Sequence, residues 1–288
     1  MSIWVVGTTR NEVDLVRVNV EYHRAQGVDR FLLLDNGSTD GTTDVLQDLA
    51  RTFPLEWAPY RGPFHQHVLL TRLAREAVSR GADWVIPVDA DEFWSAPGGT
   101  LREALSSAPA GKIQVPIINF VQHRGRRQTT PDALLGMTRR VSEPIGPAER
   151  AEEFVESEQI AYVEHVYQHK WISSASSSLR IDWGNHIVDG SGDVVTGAGR
   201  IVCLHAPLRS FEVLQAKIDA GRPSEEVKDY FDMAWHLRRW RRMSWENRLE
   251  EEWHANSYDD DGALDVHGVC HPLTFDDALR QAVQPWIT

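Results

Sequence analysis

Residues 3–9, IWVVGTT, form an unbroken apolar run that stops in small polar residues. That is the pattern of a strand buried on both faces of a parallel sheet. From Glu12 to Gln26 the period changes. Val13, Val16 and Val20 fall on one helical line, Leu15, Val18, Tyr22 and Ala25 on its neighbour, and Gly27 supplies the C-terminal stop. A second apolar run, FLLLD (31–35), leads into the turn-rich NGSTDGT and a short helix over 43–52. A third strand follows around 55–58, then a helix over 65–80 closed by Gly81, then a fourth strand, DWVIPVD (83–89). Strand and helix alternate throughout, which predicts an α/β fold with a Rossmann-like, mostly parallel sheet flanked by helices. Ligands of such sheets sit beyond the C-terminal ends of the strands. Here those ends are 8–11, 35–38 and 89–92, all polar, two of them carrying carboxylates.

After residue 110 the pattern changes. KIQVPIINFV (112–121) is strand-like, and 124–160 is polar, first basic and then acidic, with Pro131, Pro144 and Pro147. The stretch 124–158 reads as a mobile excursion that closes over a bound ligand, not as a second domain. Strand-like segments return at 161–172, near 181–188 and at 200–205, and the last eighty residues read as helical and charged. The expected organisation is one domain: a ligand-binding half over 1–95, a second half over 96–211, and a helical C-terminal region over 212–288.

Composition narrows the partners. The formal net charge of −12 over 288 residues repels phosphate backbones and argues against nucleic acid. An anionic small ligand would then need a cation or a local arginine and lysine cluster. Two cysteines, Cys203 and Cys270, imply no disulfide framework. The apolar start at Ile3–Val6 is too short for a signal peptide and no window reaches a membrane-spanning length, so the cytoplasm is the expected location. Eleven tryptophans suit sugar stacking, but most are read as core.

Three segments could carry chemistry. In VDADEF (88–93), strand alternation would bring Asp89 and Asp91 to the same side at a strand end, a pair suited to a hard divalent ion. Such an ion would offset a diphosphate and stabilise it as a leaving group. In DNGSTDGT (35–42), Asp35 either accepts a nucleobase N–H or simply forms a tight turn. In TTRNE (8–12), hydroxyls and backbone groups face the same crevice, and Asn11 is also a candidate helix cap.

Together these segments resemble the nucleotide-binding half of family 2 glycosyltransferases of GT-A fold, in the branch reading D-x-D-E-F. The resemblance covers residues 1–95 and extends more weakly to LHAPLRSFEVLQAKIDAGR (204–222), where Ala206 and Arg209 stand for the usual aromatic and lysine. It implies a metal-dependent, hexosyltransferase-like enzyme moving a sugar from a nucleotide diphosphate sugar to an acceptor hydroxyl with inversion. Thr8, Arg10, Asn11 and Asp35 would line the base and ribose pocket, with Arg72 matching the arginine of the family's A-R-N helix. Asp89 would meet the ribose and metal-bound water, Asp91 would bind Mn²⁺ or Mg²⁺, and His205 would complete the metal or diphosphate site. Arg209 and Lys217 would contact the diphosphate, the alternative being a solvated helix face. The base that deprotonates the acceptor is expected within the group Glu164, Asp182 and His186. His165 and His169 have i,i+4 spacing, but their flanks look strand-like and a zinc site is not favoured. HLRRWRRMSW (236–245) reads as a helix with one solvated basic face, with contact to a membrane surface as the lesser reading. The rivals are a sugar-phosphate nucleotidyltransferase, which would carry a glycine- and arginine-rich loop in place of TTRNE, and a non-catalytic nucleotide-sugar-binding module.

Overall fold

The computed structural model describes residues 1–195, 201–220 and 234–287. They divide into two compact units, one of 1–117 with 168–204 and one of 118–167 with 205–287. This division falls elsewhere than the expected boundaries at 95 and 211. Arg200 and Gly221–Arg222 of the segments singled out above lie outside the described residues, as does 223–233 of the C-terminal region.

The first unit is α/β with a mixed sheet. Strands β1 (Ile3–Thr9), β2 (Arg30–Asp35), β3 (Leu55–Pro59) and β4 (Trp84–Pro87) pair in parallel in the order β3-β2-β1-β4. Strand Lys170–Ser174 then pairs antiparallel with β4 and with Lys112–Val115, so the sheet is mixed where a mostly parallel one is expected. Alternation along each strand explains the continuous apolar runs. Ile3, Val5, Phe31, Leu33, Trp84 and Ile86 point to one face, against Val16 and Val20 of helix α1 (Val16–Ala25) and Leu46 and Leu49 of helix α2 (Thr42–Thr52). Trp4, Val6, Leu32 and Val85 point to the other, against Leu70, Leu73, Ala74 and Ala77 of helix α3 (Gln66–Ser79). Each fully buried Val, Leu, Ile or Phe among them contributes about 1.5–3 kcal/mol relative to exposure. Strand order reverses between β1 and β4, and there the backbones pass closely: a Cβ on Gly7 would lie 2.7 Å from the Val88 carbonyl oxygen. Glycine is what lets the residue before Asp89 sit against β1.

The second unit holds an antiparallel sheet in the order Ser257–Tyr258, Ala263–Val266, Val269–Phe275, Arg139–Val141 and Ile117–His123. Ser257–Tyr258 also pairs in parallel with Ile117–His123. Its core joins Val121, Val141, Leu264, Val266 and Leu273 to Trp240 and Trp253. The C-terminal region is therefore not wholly helical. His267 and Gly268 both take positive φ, 51° and 87°, and join two strands through the two-residue turn that hairpins favour.

The stretch 124–158 also departs from a loose excursion. It contains a 3-10 turn (Pro131–Gly136), the strand Arg139–Val141 and a helix (Ala151–Glu156). Several of its arginines have carboxylate partners within the unit: Arg124 with Asp259 at 3.0 Å, Arg140 with Asp276 at 2.8 Å, and Arg127 with Glu250. Helix Trp235–Trp245 behaves likewise, since Arg238 meets Glu152, Arg242 meets Glu156, and buried Arg239 meets buried Glu252 at 2.9 Å. Three of its arginines thus meet acidic side chains, with Arg242 still exposed. No helix among the described residues is long and apolar enough to cross a membrane.

Candidate functional site

The acidic segment sits at the strand-order reversal of the first unit. Strand β4 ends at Pro87, and the Glu92 N–H donates to the Asp89 carbonyl at 3.0 Å, closing a tight turn over Asp89–Glu92. The turn, not strand alternation, therefore sets Asp89 and Asp91. Asp91 is buried and the Asp89 side chain is about a third exposed.

The turn is clamped from α1. Asn19 Nδ2 donates to the carbonyls of Ala90 at 3.1 Å and Glu92 at 2.8 Å. Behind it, the Trp94 N–H donates to His23 Nε2 at 3.2 Å, so Nδ1 carries the proton and donates to Asn19 O at 2.9 Å. Burial lowers His23 to about 4, which keeps the ring neutral at ordinary pH and the relay intact. Asn19→Ala is expected to cost about 1–3 kcal/mol by leaving the buried Glu92 carbonyl and the part-buried Ala90 carbonyl short of a donor. Urea unfolding at constant m-value measures it, and an unchanged midpoint would refute the clamp.

A lysine answers the carboxylates. Lys170 is 5% exposed, and its Nζ lies 2.6 Å from Glu92 Oε1 and 2.9 Å from Asp89 Oδ2. Burial works to lower the ammonium, and the pull of Asp89 and Glu92 overrides it, so the net shift is upward. Burial pushes the Glu92 carboxyl up to about 7, with Lys170 acting against the rise and Asp89 adding to it. Gln66 Nε2, at the start of α3, donates to Asp89 Oδ1 at 3.1 Å.

Beside the turn, a narrow cavity is lined by Thr8, Thr9, Asn19, Val88 and Ala90. Thr9 Oγ1 is buried there with no hydrogen-bond partner among the described residues. Arg10 is exposed and Thr8 half-buried. Asn11 is not a helix cap. It takes φ 55°, and its Oδ1 accepts from the Thr39 N–H at 2.8 Å, tying the β1 loop to the β2 loop. Asp35 accepts from the Ser38 N–H at 3.0 Å, the Ser38 hydroxyl at 2.5 Å and the Thr43 hydroxyl at 2.8 Å. Those are the bonds of a turn former, and a base N–H would have to share its oxygens.

A loop of the first unit flanks the acidic turn. The Trp183 ring packs on His67, one residue from Gln66, with centroids 4.2 Å apart. Asp182 Oδ1 accepts the Trp183 N–H at 2.8 Å, and His186 Nδ1 donates to the His169 carbonyl at 3.2 Å. Burial, then the charge of Lys170, lowers His186 to about 4, leaving it a weak base. Glu164 belongs to the second unit, where its buried carboxylate accepts the Ala161 N–H and meets His271 Nδ1, each at 2.8 Å. The expected catalytic group is thus not gathered in one unit. Arg72 is exposed on α3.

His205, Arg209 and Lys217 belong to the second unit. His205 Nδ1 is 2.8 Å from Asn119 Oδ1. Arg209 is 2% exposed, which overturns the solvated-face alternative for it. His165 stacks on Tyr167 at 3.9 Å in the second unit, and His169 lies in the first.

Sequence reasoning missed Asn19, His23, Gln66, Glu92 and Lys170. Asn19 and His23 did leave a signal: two polar residues four apart on the apolar side of a helix. Lys170 left none, because a lysine between strand-like residues looks like any exposed one.

The site's donors fit a divalent ion of the Mg²⁺ or Mn²⁺ kind, which takes one or two carboxylates and fills its shell from phosphate and water. A buried carboxylate, Asp91, stands on the clamped turn, whose Ala90 lines the same cavity as the unpartnered Thr9 hydroxyl. Among the described residues, the cluster of three closely spaced ligand atoms is elsewhere, at the largely exposed His123, Asp259 and Asp260 of the second unit.

The model of glycosyltransferase family 92 matches residues 6–158. A glycosyltransferase family 92 protein of rice (Oryza sativa subsp. japonica) is 24% identical over 242 residues, 80% of this chain and 37% of the relative. The chain therefore spans little more than a third of that relative's length. Among solved structures, residues 1–349 of TarS from S. aureus in complex with UDP-GlcNAc align with a TM-score of 0.41 and 10% identity, over 86% of this chain and 72% of that one. HddC from Yersinia pseudotuberculosis aligns with a TM-score of 0.34 and 14% identity, over 70% and 92%. Both likenesses are too remote to carry an argument about chemistry.

Proposed function

Since the chain belongs to glycosyltransferase family 92, we propose that it transfers a sugar from a nucleotide diphosphate sugar to an acceptor hydroxyl. The observation that carries this reading is the clamped acidic turn at the strand-order reversal, where open α/β sheets bind their ligands. The finer resemblance to family 2 adds metal dependence and inversion, and both are part of the proposal.

In this reading the Thr9 hydroxyl, the loops after β1 and β2, and Asp35 shape the nucleoside end. Asp35 does so by ordering residues 36–43. Asp89 faces the ribose and Asp91 holds Mn²⁺ or Mg²⁺. When bound, the ion neutralises charge developing on the diphosphate as it leaves. Lys170, Gln66 and Asn19 keep the turn from moving during the reaction, so little reorganisation is needed. Asp182 takes the acceptor proton. Of the other two expected bases, Glu164 is tied to His271 and His186 is weakened by burial. Trp183 offers an indole face next to it for a sugar ring.

Donor binding tests this reading. A panel of UDP-, GDP- and dTDP-sugars with Mn²⁺ should contain at least one that raises the melting temperature, since a ligand bound to the native state stabilises it by mass action. A panel with no shift at saturating concentrations, with or without Mn²⁺, would contradict it.

A further inference from the structure

The acidic turn already contains a cation. Lys170 Nζ bridges Glu92 Oε1 at 2.6 Å and Asp89 Oδ2 at 2.9 Å. The remaining oxygens are engaged as well. Gln66 donates to Asp89 Oδ1, while Trp94 Nε1 at 3.2 Å and the Asp89 N–H at 3.3 Å donate to Glu92 Oε2. Lys170 and Glu92 are 5% and 1% exposed. Withdrawing the ammonium would leave a carboxylate charge in a site with little water to replace it, and that costs more than the pairing gains.

We propose that Lys170 is a resident counter-ion that withholds Asp89 and Glu92 from the divalent ion, so that the ion binds only together with a nucleoside diphosphate. The inference rests on the glycosyltransferase reading above and concerns the order of assembly at its site. Three carboxylates in one four-residue turn would otherwise make a cation trap that holds metal with no donor present. With two of them bonded to the lysine, the protein offers an incoming ion too few oxygens. The diphosphate must supply the rest. Lys170 is thus a positioning residue: it acts on the ion through Asp89 and Glu92.

Mn²⁺ titration followed by calorimetry and by the loss of free-ion paramagnetic resonance signal, with and without UDP or GDP, tests this apart from turnover. The wild-type protein should bind Mn²⁺ alone more weakly than about 1 mM. The better of the two nucleotides should tighten binding by about a hundredfold. Lys170→Met, which keeps the stem and removes the charge, should raise nucleotide-free Mn²⁺ affinity by at least about tenfold. If that variant does not fold, Lys170→Met with Glu92→Gln removes the second buried charge and exposes Asp89 to the same measurement. Tight Mn²⁺ binding by the wild type alone, or a folded variant without the gain, overturns the inference and leaves the glycosyltransferase reading standing. Nucleotide binding indifferent to Mn²⁺ in every protein overturns the metal-dependent reading, and this inference with it.

Discussion

Asp91→Asn is expected to reduce turnover by about a thousandfold or more while the protein stays folded. Asparagine keeps the shape of the buried side chain and removes the charge that would hold the ion. The bonds from Asn19, Gln66 and Lys170 fall on Ala90, Asp89 and Glu92, so they remain to hold the turn in the variant. Asp91 also raises Glu92, so losing its charge relieves like-charge repulsion in the turn. A cooperative thermal transition, showing that the variant is folded, is therefore expected beside the loss of activity. Initial rates in Mn²⁺ and in EDTA-treated buffer read the effect. A variant that keeps wild-type rates in EDTA would end the metal-dependent account.

Asp182→Asn should lower kcat by about 10²–10⁴, the usual contribution of a positioned base, and leave donor affinity unchanged. Asparagine can still accept the Trp183 N–H through its amide oxygen, so the loop from 182 to 187 should keep its shape. The split between kcat and donor affinity separates proton transfer from packing. A fall in donor affinity with little change in kcat would mean that Asp182 merely seats Trp183. His186→Gln is the contrast: its ring is already held as a weak base, so the proton-transfer role predicts a smaller effect there.

How much of this was legible in the sequence follows from the range of the forces involved. Strands β1 to β4 and helices α1 to α3 were readable because each buries a periodic apolar surface, and that periodicity is local. The acidic segment was readable as a site but not as a turn. Its bend depends on Asn19, 71 residues from Ala90, and on Gln66 and Lys170, 23 and 81 residues from Asp89. Strand Lys170–Ser174 was legible as strand-like, but not its insertion between β4 and Lys112–Val115, since antiparallel pairing across such a separation leaves no local mark. Residues 124–158 misled because their arginines look solvated until Asp259, Glu250 and Asp276 meet them from the far end of the chain. The hairpin over 263–275 was hidden by a turn written His267-Gly268, where the usual signal is Asn-Gly. The resemblance to glycosyltransferases holds, and the family is 92, where the motifs had suggested a branch of family 2.

The central claim is glycosyl transfer at the acidic turn. Its most direct measurement is the release of nucleoside diphosphate from a panel of UDP-, GDP- and dTDP-sugars by the purified protein in Mn²⁺, for wild type and Asp91→Asn side by side. The account predicts release from at least one donor, even by slow hydrolysis without acceptor, that is lost in EDTA and lost in the variant. Release that is equal in both proteins, or a nucleotide sugar synthesised where one should be consumed, would contradict it.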